Sequence, residues 1–449
     1  MIKKIVLLND FIRYRTGVDI RVKDVIKSTH NLLNYQLTKA TKLDVETIFD
    51  CLDIDKFMEL NNLSSNENLF DKDHLWAYYC NNITQEAEDY LVDCLKDTII
   101  IGYHLTNLIL GVLKRNNIPF IDTFETSYRY MQDSYLGFRT NIEEAKKYLL
   151  KNALNTNTMY TYANYLKAFY RHRQYYQLNQ NSCLLVGQTS KDSVLIKKDS
   201  TFVSLEEYKD KILEMSKKYN TLYYKMHPFE PLSDSMREFL SSIPNACEER
   251  RNFYELMAQE GIKEVFGLNS GAISEAKFFG KKSTFLFNKS HEYYQDEGDV
   301  NDYRTFIILD SNSYIFKINF WAELLSSIIT TYKVSDTEEV SFDNYQSLYS
   351  SFIRISSNYE LNIYSIFDTN RNLRHLSYRV ENLEQNNNYL KKIDDLEQKL
   401  NQQEEKINFH EFLFKKNANR FKKILLNIFL AFIPSKRIRK SLRDKYLKY

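Results

Sequence analysis

Short runs of apolar residues, hydrophobic on both faces and set apart by helix-length segments, constrain this chain most. The clearest are Ile5–Leu8, Thr98–Gly102, Ser182–Val186, Thr221–Lys225, Glu264–Gly267 and Ser283–Phe287. A strand with no polar face must be covered on both sides, which points to parallel sheets sandwiched between helices. Ile99–Ile101 leads into a helical pattern carrying Leu105, Leu108, Ile109 and Val112, then into Ile118–Ile121. That is a βαβ unit. Residues 141–180 read as polar helices with Tyr-rich faces, and a second strand series opens at Ser182. The expected architecture is two tandem α/β domains, 1–180 and 181–335, with a cleft between them. A helical segment, 336–372, either closes the second domain or crosses back to the first.

The opening Met1-Ile-Lys-Lys-Ile-Val-Leu-Leu-Asn-Asp10 has too short an apolar run for a secretory signal, so a first buried strand is expected. No stretch reaches the ~18–20 apolar residues of a membrane-spanning helix. The odd set Cys51, Cys80, Cys94, Cys183 and Cys247, without C-x-x-C spacing, fits reduced thiols and a cytoplasmic location.

Beyond residue 372 the pattern changes. Leu373, Leu376, Val380, Leu383, Asn387, Leu390, Ile393, Leu396, Leu400 and Ile407 form a heptad-like seam with a local slip in register. We expect a coiled coil over 373–410 that makes a homo-oligomer, the alternative being a single solvated helix packed on its own body. Of 61 basic and 59 acidic residues, twelve and two fall in 411–449, leaving −8 for 1–410 and +10 for the tail. The apolar Ile424–Ile433 sits between the basic clusters and ends at Pro434. As a helix it would rise only ~15 Å, half a bilayer core. A basic amphipathic helix lying on an anionic membrane surface is the expectation, ahead of a helix buried on a partner. No nucleic-acid motif accompanies the charge, so no nucleic-acid partner is expected.

Three clusters follow strands of the second half. Val186-Gly-Gln188-Thr-Ser-Lys-Asp192-Ser places a carboxylate at the sheet edge, as nucleophile, base or turn-former. Lys225-Met-His227-Pro228 puts two potential phosphate donors where a strand ends. Asn269-Ser270-Gly271, just before a helix, offers free N–H groups to an anion, with Glu275 a turn later in reach of ribose hydroxyls. An ordinary N-cap at Asn269 or Ser270 is the plainer reading of that turn.

In this order, V-G-Q-x-x-x-D-S, K-x-H-P and N-S-G-x-x-x-E resemble the retaining β-Kdo glycosyltransferases of bacterial capsule and O-antigen assembly. More distantly, they resemble bacterial sialyltransferases. The resemblance covers 182–287 well and the first domain loosely. K-M-H-P stands where K-P-H-P is commoner. The resemblance implies a GT-B architecture of two Rossmann-like domains and a CMP-activated 3-deoxy-2-ulosonic acid (Kdo) as donor, with no metal or other cofactor. It implies Asp192 as the residue forming a covalent glycosyl intermediate. Gln188, Lys225, His227, Pro228, Asn269, Ser270 and Gly271 would bind donor, with Glu275 on ribose. Glu125, in Asp122-Thr-Phe-Glu-Thr-Ser127, would be the acceptor-side base. The acceptor would be a lipid-linked surface glycan at the inner face of the bacterial cytoplasmic membrane. The alternatives are an inverting CMP-sialic acid-dependent sialyltransferase and a non-catalytic membrane assembly scaffold.

Overall fold

The computed structural model describes residues 2–338 apart from 68, 132–134, 172–176, 228–229, 231, 310–311 and 336. The expected coiled coil over 373–410, the basic helix over 411–449 and nearly all of 336–372 lie outside the described residues.

Eleven strands build two sheets among the described residues. The first joins β1 (Lys4–Leu8), β2 (Asp44–Thr47), β3 (Thr98–Tyr103), β4 (Phe120–Glu125), β5 (Leu136–Thr140) and β11 (Ile307–Ile308) in the order β11-β5-β4-β3-β1-β2. The second joins β6 (Ser182–Val186), β7 (Thr221–Lys225), β8 (Ala246–Glu248), β9 (Ile262–Gly267) and β10 (Lys282–Phe285) in the order β10-β9-β6-β7-β8. All pairings in the second sheet are parallel, whereas β5 runs antiparallel to both β4 and β11 in the first. The architecture is mixed α/β with two sheets.

The first sheet shows why its strands read as continuous apolar runs. Ile5, Leu7, Ile99 and Ile101 point into one core, which includes the helices 22–41 and 318–325. Val6, Leu8, Ile100 and Phe120 point into the opposite core, against helices such as Asn107–Arg115. Alternate side chains leave opposite faces, so both faces demand apolar residues. In the β3–β4 crossover, Thr106 caps the helix by accepting from Ile109 N, and Ile109, Leu110, Val112 and Leu113 are buried. Lys114 and Arg115 occupy its last turn, where the helix dipole favours cations.

After the second sheet the chain returns to the first. β11 pairs with β5, and the helix Ile318–Leu325 buries Ile318, Trp321, Leu324 and Leu325 in the first sheet's core. A third core joins the halves: Tyr128, Tyr130 and Tyr135 of the β4–β5 connection pack with Val186, Val265, Ile273 and Phe278. The five cysteines are free. Among the described residues, no helix is long and apolar enough to cross a membrane.

Candidate active site in the cleft

Because β6, β7 and β9 are parallel neighbours, their C-terminal ends share one edge, and their loops are tied together there. Gly187 N donates to Lys225 O at 2.8 Å, and a Cβ on Gly187 would lie 2.8 Å from His227 N. Only a glycine permits that approach. From the other side, Asn269 N donates to Gln188 Oε1 at 3.2 Å, and Asn269 Nδ2 donates to Val194 O at 2.5 Å. Asn269 is buried, and its Oδ1 has no hydrogen-bond partner among the described residues. The sequence clusters around Gln188–Asp192, Lys225–His227 and Asn269–Gly271 therefore form one surface.

Asp192 is half-buried and starts a 3₁₀ turn, Ser193–Leu195, by accepting from Val194 N at 3.3 Å. Its negative charge favours protonation of both His227 and His104. His227 nonetheless has its pKa lowered, first by burial and further by the Arg129 charge, against the opposing pull of Glu230 and Asp192. Burial likewise lowers Lys225, whose Nζ donates to Arg250 O at 3.2 Å. Ser270 occupies the N-cap position of the helix Gly271–Phe278 without a capping side-chain hydrogen bond. Pro228 lies outside the described residues.

Glu275 is placed differently from a ribose ligand at a surface. It is 3% exposed, and Oε1 accepts from Arg129 N at 2.5 Å and Tyr130 N at 3.3 Å. The Tyr254 hydroxyl lies 3.2 Å from each carboxyl oxygen. Burial pushes its pKa up to about 8, against the pull of these donors. Glu125 ends β4 in the first sheet, and its charge adds to the burial that raises Tyr103. Two residues beyond Glu125, Ser127 sits against the start of the helix Gly271–Phe278: a Cβ on Gly271 would lie 2.9 Å from Ser127 Cβ.

Between the halves lies a cavity of about 590 Å³. Ser193 and Val194, directly after Asp192, form part of its wall. The opposite wall comes from the ends of β1 and β3, with Asp10, Arg13, Tyr103 and His104. His104 Nε2 and His291 Nε2 are 3.2 Å apart, and Phe124 stacks on both rings at centroid distances of 4.2 and 4.5 Å. Burial pulls His104 down to about 4 and holds His291 well below its ordinary value, with Arg139 adding to both. Arg13 lies over the Trp76 ring at 4.9 Å, and Trp76 Nε1 donates to Asp10 at 3.0 Å.

Arg13, His104 and His291 were not among the sequence candidates. The strand-end rule that selected Lys225 and His227 also selects Asp10, Arg13 and His104 when applied to β1 and β3. His291, in a loop after β10, has no local signal. Among the described residues, no three His, Cys, Asp or Glu side chains come together in a way that could hold a metal ion.

The chain is similar in structure to Thermosulfurimonas dismutans KpsC, beta Kdo 2,7 transferase, with 12% identity and a TM-score of 0.34, over 64% of this chain and 80% of that one. A second similar structure, Thermosulfurimonas dismutans KpsC, beta Kdo 2,4 transferase, has 12% identity and a TM-score of 0.26, over 52% and 84%. Both likenesses are distant. No protein-family model and no curated protein sequence matches the chain.

Proposed function

We propose that this chain is a glycosyltransferase that moves Kdo from CMP-Kdo to a bacterial surface-glycan acceptor, with retention through Asp192. The observation that carries the reading is the convergence of three motif-bearing loops on one edge, with Asp192 directly before the cavity wall. Donor phosphate would meet Lys225, His227 and the N–H groups that open the helix Gly271–Phe278, a cationic and dipolar environment. An Asp192 carboxylate oxygen would bond to the anomeric carbon as the bond to the CMP phosphate oxygen breaks, its electron pair leaving with CMP. The acceptor hydroxyl would then displace Asp192 while Glu125 takes its proton, restoring the original configuration. At about 590 Å³ the cavity is of a size that takes a small ligand. The basic segment 411–449 would hold the enzyme on an anionic membrane, and 373–410 would join copies.

The test is incubation with CMP-Kdo and with CMP-sialic acid, followed by mass spectrometry of the Asp192 peptide and NMR of the product's anomeric centre. A Kdo adduct on Asp192, absent from Asp192→Ala, is expected. Full transfer by Asp192→Ala, or an inverted product, would refute the covalent mechanism and favour the inverting alternative. Loss of all CMP binding would favour the scaffold.

A further inference from the structure

The β4–β5 connection belongs to the first half yet is fastened to the second at two points. Ser127 packs against Gly271, and Arg129 N and Tyr130 N both donate to the buried Glu275 Oε1. On either side of Arg129, Tyr128 and Tyr130 are 1% and 5% exposed and pack on Phe278. With both neighbours turned inward, the Arg129 side chain is turned outward and exposed. Among the described residues it makes no ion pair.

We propose that Arg129, held across the cleft by Glu275, supplies a cation from the first half to the donor-phosphate site formed by Lys225, His227 and the start of the helix Gly271–Phe278. This rests on the CMP-sugar reading above and adds to it a residue that none of the sequence motifs contains. Glu275 is then a positioning residue, acting through the backbone of Arg129 rather than on the ligand. Electrostatics agrees with the placement, since the Arg129 charge reaches His227 and Glu275 and opposes protonation of both. Burial keeps Glu275 largely protonated near neutral pH, so it holds the arginine's backbone without cancelling its charge. A guanidinium whose charge reaches the His227 imidazole suits a phosphate, whose oxygens accept from several directions.

Calorimetric titration of the full chain with CMP and with cytidine, which lacks the phosphate, tests this. Arg129 is exposed, so Arg129→Ala should fold. It should bind CMP about tenfold more weakly than wild type, the loss expected for a charge-assisted contact. Its affinity for cytidine should stay within about twofold, because no phosphate contact is lost. Arg129→Lys should recover part of the CMP affinity. Equal CMP affinity in wild type and Arg129→Ala would overturn the proposal alone, as would equal losses for CMP and cytidine. Wild type that binds no CMP would overturn the CMP-sugar reading together with it.

Discussion

Replacing Glu275 by Gln probes a carboxyl group that holds a proton where most glutamates do not. Oε1 takes both backbone N–H groups, while the partner of Oε2 among the described residues is the Tyr254 hydroxyl, 3.2 Å from both oxygens. A protonated Oε2 can donate to that hydroxyl, and Gln Nε2 can do the same. At neutral pH the substitution therefore preserves each hydrogen bond, whereas Glu275→Ala orphans the buried Tyr130 N–H and leaves a void, at a cost of about 2–4 kcal/mol.

The pH dependence gives the sign. The folded pKa, about 8, lies above the ordinary 4.5, so the native state holds a proton that the unfolded chain has released. This contribution is fully present below about pH 4.5 and is lost as pH rises toward 8. From about pH 5.5 to 7.5, the loss amounts to about 2.5 kcal/mol. Glutamine does not titrate, so wild-type stability should fall by that amount relative to Glu275→Gln over the interval. Urea denaturation of both proteins at the two pH values measures it. Parallel responses would refute the reasoning, because they require Glu275 to be ionised in the fold throughout.

Other perturbations have equally definite outcomes. His104 has its pKa lowered by burial to about 4, so its contribution is present above about pH 6.5 and lost as pH falls toward 4, about 3 kcal/mol in all. Thermal melting over that range should show a smaller loss for His104→Gln than for wild type, and equal losses would exclude the histidine as the cause. Asp122 and Arg139 form a buried ion pair at 2.7 Å, so Asp122→Ala should cost about 3–5 kcal/mol by leaving the guanidinium unpaired. Chemical denaturation reads this, and a cost below 1 kcal/mol would mean that Arg139 escapes to water. Deleting 411–449 should abolish sedimentation with vesicles containing anionic lipid, and unchanged sedimentation would place membrane binding elsewhere. Deleting 373–410 should lower the mass observed by light scattering, and an unchanged mass would remove that segment as the oligomer contact.

What the sequence made legible follows from how local each cause is. β1, β3, β6, β7 and β9 were readable because helices cover both faces, leaving unbroken apolar runs. β2 (Asp-Val-Glu-Thr) and β8 (Ala-Cys-Glu) are short sheet-edge strands without such a run, so their sequences carry no strand signal. β5 is buried throughout although it contains Arg139. That arginine is tolerated only because Asp122 faces it from the adjacent strand, a fact set by pairing rather than by neighbours in sequence. The same limit applies at the site. The loops at Gln188, His227 and Asn269 follow recognisable strands, whereas the link from Glu275 to Arg129 spans 146 positions.

Net charge also misdescribes the cleft. The −8 of residues 1–410 suggests a body hostile to anions. Along the cavity, however, carboxylates already answer most cations: Arg21 by Asp19, Arg304 by Asp302, Lys289 by Glu292 and Asp296, and Arg139 by Asp122. Arg13 is different. Among the described residues its guanidinium has no ion pair, its Nε is buried without a hydrogen-bond partner, and an aromatic face supports it. Among the described residues, Arg129 is likewise without an ion pair. Screening and pairing erase most of the field that the composition implies, so the electrostatics a ligand meets are set by these unpaired groups. Both arise from the first half, Arg13 just beyond the end of β1 and Arg129 just beyond the end of β4. The unpaired cations that would draw an anion to the cleft therefore belong to the first half.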